Sequence, residues 1–312
     1  KAEIERVFSN TQWNGENLLD GSHFGSTIAL QVGANASQTI DFSLGSASIN
    51  TLGGTANYGI HPSSAPTLTQ VSAPITNVSL NATGTWTQRG SDLDGEAAGD
   101  QHGFSVSLSK DANTLAVGAI SNSDNGTDRG QARVYSWNGS AWQQRGSDID
   151  GVSNYAYNGH SVHLSDDGRT LAVGAIQPGG GLGSTSVFTW DDSNSQWIAK
   201  GTAISGDGVD DRSGGVVKLS ADGNTLAIAA NRGDGATGVD SGYVKVFSWN
   251  GSAWIQRGIN IGGESANDLS GSSISLSNDG NILAIGSAYN DGNGADSGHV
   301  RVYEWNGTSW NK

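Results

Sequence analysis

Two markers recur along this chain with a single period. Together they predict a mainly β fold, a propeller-like array of four-stranded antiparallel blades. The first is a Trp, at 86, 142, 197, 254 and 310, in steps of 56, 55, 57 and 56 residues. The second is Leu-Ala-Val-Gly-Ala or a variant of it, starting at Leu115, Leu171, Leu226 and Leu283, in steps of 56, 55 and 57. A self-similar period near fifty marks arrays whose units hide their faces only against neighbouring copies. The 47 Gly among 312 residues are about twice the usual ~7% and fit many tight turns between short strands.

The elements of one unit follow in order. Phe104-Ser-Val-Ser-Leu alternates, which sets Phe104, Val106 and Leu108 on one face; the matching sets are His160, Val162 and Leu164, then Gly215, Val217 and Leu219, then Ser272, Ile274 and Leu276. Asp-Gly turns follow at 166–168, 221–223 and 278–280, and this dipeptide between alternating strands suggests a type I′ hairpin. The Leu-Ala-Val-Gly-Ala run is nearly all apolar, as in a strand covered on both faces. After a polar loop, a third strand ends at Trp137, Trp190, Trp249 or Trp305. Asn-Gly at 138, 250 and 306 then turns it back into a fourth strand carrying the second Trp. Counted from Trp to Trp, the repeats run about 86–141, 142–196, 197–253 and 254–309, within a repeat domain of 85–312.

Composition narrows the functions available. A formal net charge of −14 argues against nucleic acid or an anionic membrane as partner, since both reward positive surface. No apolar run approaches the ~18–20 residues that span a bilayer as a helix, so a soluble chain is expected. There is no Cys, which excludes disulfides and Cys-ligated metals. There is no Met either, even at position 1, and the chain opens on what reads as a helix end (Lys1–Phe8), so it is expected to be a piece of a longer protein. Residues 56–84 hold Pro62, Pro66 and Pro74 among Ser, Thr and Asn and read as a linker, with short strands near Val71 and Val78.

The first 55 residues carry three motifs in order. These are Glu3-Ile-Glu-Arg-Val7, then Asn10-Thr-Gln-Trp-Asn-Gly-Glu-Asn-Leu-Leu-Asp-Gly-Ser22, then Leu30-Gln-Val-Gly-Ala-Asn-Ala-Ser-Gln-Thr-Ile40. In the third, Thr27–Val32 and Thr39–Leu44 alternate and predict a β-hairpin. Residues 1–55 resemble bacterial flagellin, with Trp13 standing where that family usually has Phe. The resemblance implies the end of a long N-terminal helix and the hairpin of an inner filament domain. Residues 85–312, with Gly103-Phe-Ser-Val-Ser-Leu108 and Leu115-Ala-Val-Gly-Ala119, resemble the FG-GAP repeats of integrin α-chain-type propellers. The two resemblances imply an extracellular structural subunit of the flagellar filament, serving motility, with a propeller as its variable outer domain. Self-association would run through parts outside this chain. The alternative is a secreted or cell-surface adhesin or ligand-binding propeller; no cofactor is expected, and calcium would enter only with this alternative.

No residue is assigned a catalytic, cofactor-binding or metal role. The acidic loops Asn122–Asp128, Asp234–Asp240 and Asp291–Asp296 depart from the Asp-x-Asp-x-Asp-Gly-x-x-Asp spacing of a calcium loop, and the second copy has no carboxylate there; Asx-turns are expected instead. The seam carboxylates Asp92, Asp94, Asp148 and Asp150 are lost in the third and fourth copies. Arg232-Gly233-Asp234 spells an integrin-binding tripeptide in an exposed loop, too short a match to assign adhesion. Three of the sequons (Asn35, Asn77, Asn81, Asn125, Asn138, Asn250, Asn306) are the Asn-Gly turns themselves. The six His are scattered; His160 and His163, three apart in a strand, are expected to face opposite ways. Neither a zinc pair nor a nucleophile elbow occurs, so the reading expects no enzyme.

Overall fold

The computed structural model describes the backbone of four short strands near the start of the chain, and residues 87–312. The chain divides into two compact units, Lys1–Thr87 and Gln88–Lys312. In the first, β1 (Gln12–Trp13) pairs antiparallel with β2 (Glu16–Asn17), and β3 (Thr27–Gln31) with β4 (Thr39–Ser43). Leu30 opposite Ile40 and Ile28 opposite Phe42 give the hairpin the register its alternating pattern requires. The expected helix end at 1–8 and the linker at 56–84 lie outside the described residues.

The second unit is all β: four antiparallel sheets in chain order, each a simple meander. The first holds β5 (His102–Leu108), β6 (Thr114–Ala119), β7 (Gln131–Trp137) and β8 (Trp142–Gln144), with β9 (Ile149–Asp150) pairing the start of β7. The second holds β10 (Asn158–Leu164), β11 (Thr170–Ala175), β12 (Ser184–Asp191) and β13 (Gln196–Ala199), with β14 (Ile204–Ser205) on β12. The third repeats this as β15 (Val216–Leu219), β16 (Thr225–Ala230), β17 (Tyr243–Trp249), β18 (Trp254–Gln256) and β19 (Ile261–Gly262). The fourth is β20 (Ser270–Leu276), β21 (Ile282–Ser287), β22 (His299–Trp305) and β23 (Trp310–Asn311). Sheet limits are offset by one strand from the Trp-to-Trp repeat, because the two Trp of a seam face each other across one sheet: Trp137 opposite Trp142, Trp249 opposite Trp254.

Four-stranded meanders stacked face to face are propeller blades. Each core cluster is a junction. Ala116, Ala132 and Val134 of the first sheet close on Val162, Leu164, Leu171 and Val173 of the second, and the pattern recurs at the next two junctions. Full burial of a Val or Leu stabilises by about 1.5–3 kcal/mol, so these strips hold the stack together. At two junctions the backbones nearly touch. A Cβ on Gly118 would lie 2.0 Å from Gly159 O, and one on Gly174 equally close to Gly214 O.

Two sequence expectations need correction. The Asp-Gly turns are not type I′, which needs positive φ at both central residues. Gly168 N–H donates to Ser165 O and, among Asp166, Asp167 and Gly168, only Gly168 has positive φ, at 64°. This is a type I turn followed by a left-handed Gly, with Gly223 (66°) and Gly280 (70°) alike. The pairing of His160 and Phe104 with the alternating faces also fails. Bulges between Asn158 and Ser161 and between His102 and Ser105 interrupt the alternation where His160 and Phe104 stand.

In the first sheet Ala112 occupies the left-handed turn position, at φ 55°. A Cβ costs roughly 1–2 kcal/mol there, offset in part by glycine's greater unfolded-state freedom. Ala112→Gly should therefore raise unfolding stability by up to about 1 kcal/mol in urea titration, with the m-value unchanged.

Candidate functional site

The two ends of the stack have different chemistry. At the turn end, a cation from the stretch of chain ahead of each sheet enters that sheet's Trp pair. The Arg89 guanidinium lies 4.5 Å from the Trp137 ring centroid, Arg145 4.5 Å from Trp190, Lys200 5.6 Å from Trp249, and Arg257 4.7 Å from Trp305. The backbone carbonyl of the same residue accepts the second Trp's indole N–H: Trp142 to Arg89 O at 2.9 Å, Trp197 to Arg145 O at 2.8 Å, Trp254 to Lys200 O at 2.7 Å, Trp310 to Arg257 O at 3.0 Å. The cation then donates to the turn carbonyls, as Arg145 does to Gly168 O and Lys200 to Gly223 O. Burial pushes the pKa of Arg145, Lys200 and Arg257 down. The Trp pairs are thus filled from within. The cations were missed, although each stands three residues after a seam Trp.

The loop end carries the carboxylates. Asp100, Asp211 and Asp268 are buried, and each caps its own loop. Asp100 accepts Glu96 N–H (3.1 Å) and Ala97 N–H (2.9 Å); Asp268 accepts Glu264 N–H (3.0 Å) and Ser265 N–H (2.9 Å). Asn122 and Asn290 add side-chain donors, at 3.4 and 3.0 Å. In the third unit the matching residue is Gly233, and the donor is Tyr243 OH, 2.7 Å from Asp211. Gly233 is what makes room, since a Cβ there would sit 2.2 Å from the Tyr243 ring. The second unit has Ala156 and Pro178 at the two positions, so acceptor and donor are lost together. Burial, chiefly, holds the Tyr243 pKa well above its ordinary value. Cations on the third strands are paired as well: buried Arg133 with Glu96 and Asp148, buried Lys245 with Asp207, and half-buried Arg301 with Glu264. Burial works against Asp207 ionising, but Lys245 and Asn260 outweigh it, and its pKa is lowered.

The acidic loops singled out in the sequence bind their own backbone. Asp234 accepts Asp240 N–H at 3.0 Å, Asp291 accepts Asp296 N–H at 2.8 Å, and Asn122 accepts Asp124 N–H at 3.3 Å. Among the described residues no group of three or more His, Asp and Glu is gathered to hold a metal. Of the seam carboxylates, Asp148 pairs with Arg133 and Asp150 with Asn125. Burial and the neighbouring Asp148 raise the Asp150 pKa. In Arg232-Gly233-Asp234, Arg232 lies 3.6 Å from Asp240, so all three residues have internal work. Asn138 and Asn250 each accept two backbone N–H groups of their own turn, which accounts for Asn without invoking a glycan. A cleft of about 730 Å³ lined by Asp207, Asp234, Tyr243 and Asn260 lies at this end.

His160 and His163 do not face opposite ways. Both reach toward the third unit, His160 Nδ1 to Gly215 O (3.1 Å) and His163 Nδ1 to Leu219 N–H (3.1 Å). The bulge at Gly159 explains the first, and their targets stand four residues apart, so they share nothing. His163 accepts a hydrogen bond through an unprotonated nitrogen. Burial, then Lys218, lowers its pKa to about 4.

A family model described as FG-GAP repeat matches residues 92–135. Among curated proteins, the B-type flagellin of Pseudomonas aeruginosa is 49% identical over 53 residues, which are 17% of this chain and 10% of that protein. The chain thus spans about a tenth of the length of the curated relative it matches. Among solved structures it is similar to the periplasmic gluconolactonase PpgL of Pseudomonas aeruginosa (17% identity, 66% of this chain and 55% of that one, TM-score 0.45). It is also similar to a candidate 6-phosphogluconolactonase of Bacteroides fragilis (12% identity, 66% and 55%, TM-score 0.43). These two likenesses concern fold alone. One expectation is corrected. The scattered His led to the reading that the chain is no enzyme, yet proteins named as lactonases are among those it resembles. That exclusion is withdrawn.

Two outcomes follow. Arg145→Ala removes a cation–π contact and hydrogen bonds from a charged donor, and should cost about 2 kcal/mol or more in thermal or urea unfolding. Arg145→Lys should cost under about half of that, because Lys200 fills the same role one unit on. For His163 the folded pKa lies below the ordinary 6.5. Its neutral form therefore stabilises fully above pH 6.5, and that contribution fades as pH falls toward 4, by on the order of 3 kcal/mol in all. His163→Asn keeps an acceptor for Leu219 and should flatten the melting temperature across that window; an unchanged pH profile would contradict the assignment.

Proposed function

We propose that the chain belongs to a filament subunit of the flagellin kind, with the propeller-like unit as a surface domain. The observation that carries this reading is the 49% identity over 53 residues to a B-type flagellin. Three features of the second unit support it. Its stability is assembled from junctions repeated down the stack, which is how a domain built of added repeats is held together. Its carboxylates are engaged by its own loops, which is the economy of a scaffold. Its net acidic surface suits an exterior position, where it keeps neighbouring copies from non-specific association.

Immunogold labelling provides the test, using antibody raised against residues 88–312 on cells of the bacterium that makes the protein. Gold along the length of the flagellar filament is the expected result. Label confined to the cell body or the medium would reject the filament reading and leave the secreted binding protein.

A further inference from the structure

The innermost strand of each sheet leaves alternate N–H groups on its axial edge, where no strand pairs with it. At the first two junctions, side chains of the preceding sheet supply acceptors. Ser107 Oγ accepts Leu164 N–H at 2.9 Å, and at the same position one unit on, His163 Nδ1 accepts Leu219 N–H at 3.1 Å. Ser161 Oγ accepts Val217 N–H at 3.1 Å. The third junction departs from this pattern. Lys218 stands where Ser107 and His163 stand, and Val216 where Ser161 stands. An ammonium only donates, and a Val side chain has no polar atom.

The N–H groups on the far side of that junction follow from register. Ser277 N–H donates to Ile282 O, and β20 sets Ile274 opposite Ile285 and Leu276 opposite Leu283. Bonds across an antiparallel pair alternate. Ser273, Ser275 and Ser277 therefore turn their N–H groups to β21, and Ile274 and Leu276 turn theirs to the axial edge. Val217 and Leu219 do the same on β15. Lys218 thus adds a donor where the other junctions pair a donor with an acceptor. A further donor stands beside it. His163 takes the N–H of the Lys218–Leu219 peptide on Nδ1, so the proton of its neutral ring is on Nε2. Burial lowers the Lys218 pKa with no carboxylate among the described residues to offset it. A half-buried charge left without a counter-charge is costly. All these groups stand on β10, β15 and β20, which pack in succession inside the stack.

We propose that the axial edge between the third and fourth units binds a small oxyanion, held by Lys218 Nζ and Leu276 N–H with His163 Nε2 beside them. The donors decide the class of ligand. A metal ion would need acceptors, and a neutral hydroxyl compound would leave the charge of the ammonium unmet. An oxyanion brings both the charge and several acceptor oxygens, and lysine meets it as a point charge. The first two junctions use up their own N–H groups and have no such need.

Phosphorus NMR of inorganic phosphate with the 312-residue chain tests this, with ionic strength held constant by sodium chloride. Saturable broadening of the phosphate line in the millimolar range is expected, and a melting temperature that rises over the same range. Lys218→Ser installs the residue that the first unit carries as Ser107 and gives Leu276 N–H an acceptor. That variant should fold, as circular dichroism would verify, and its affinity for phosphate should fall about tenfold or more with the loss of a charged donor. A wild-type chain that leaves the phosphate line unchanged overturns the proposal. So does equal broadening by Lys218→Ser, which would put the anion at another cation such as Arg212.

Discussion

No sheet in the second unit can bury both of its faces by itself, and the rest of the structure depends on that constraint. A four-stranded sheet has two apolar faces and its own strands can cover neither, so stability is a property of junctions rather than of units. The strip of Ala and Val on one sheet against Val and Leu on the next accounts for the chain's low aromatic content in the core. Small residues on one side let the backbones close to contact at Gly118 and Gly159. The Trp, by contrast, lie at the turn end, where a cation from the stretch of chain ahead of each sheet fills each pair.

The same dependence decides where polar groups go. The axial edge of each innermost strand leaves N–H groups that no strand pairs, and side chains of the preceding sheet meet them: Ser107 at Leu164, Ser161 at Val217, His163 at Leu219. A buried imidazole is used here as a fixed acceptor, which it can be only while neutral. At the loop end, buried carboxylates are met by N–H groups of their own loops. Chemistry that looks suggestive in a list of residues is therefore accounted for, group by group, by the need to satisfy what folding buries.

Much of this was legible before any coordinates. The Trp and Leu-Ala-Val-Gly-Ala periods located the second and third strands of every sheet, and the hairpin at Thr27–Gln31 and Thr39–Ser43 followed from alternation. Three things were not legible. Bulges after His102 and Asn158 interrupt the side-chain alternation of the innermost strand, and their only sequence trace is a Gly (103, 159) in a run that otherwise alternates. The turn type depends on φ at the residues before Gly, which Asp-Gly alone does not specify. The cations at 89, 145, 200 and 257 keep the period as faithfully as the Trp, but read singly they resemble solvated surface charge. Of the candidate sites, the loop from Asn122 holds an Asx-turn, whereas Asp234 and Asp291 close their loops onto N–H groups six and five residues on. Asp100, Asp211 and Asp268 drew no notice, because burial is set by the partner loop and not by the residue.

The pairing of Asp with a donor on the facing loop has a consequence for how such a chain can change. In the first and fourth units the pair is Asp with Asn, in the third Asp with Tyr beside a Gly, and in the second it is absent from both loops at once. Each unit's two loops therefore behave as a cassette, exchangeable as a set while the sheet beneath stays the same. A stack of four such cassettes can present different exteriors on one framework, with each change confined to a single storey.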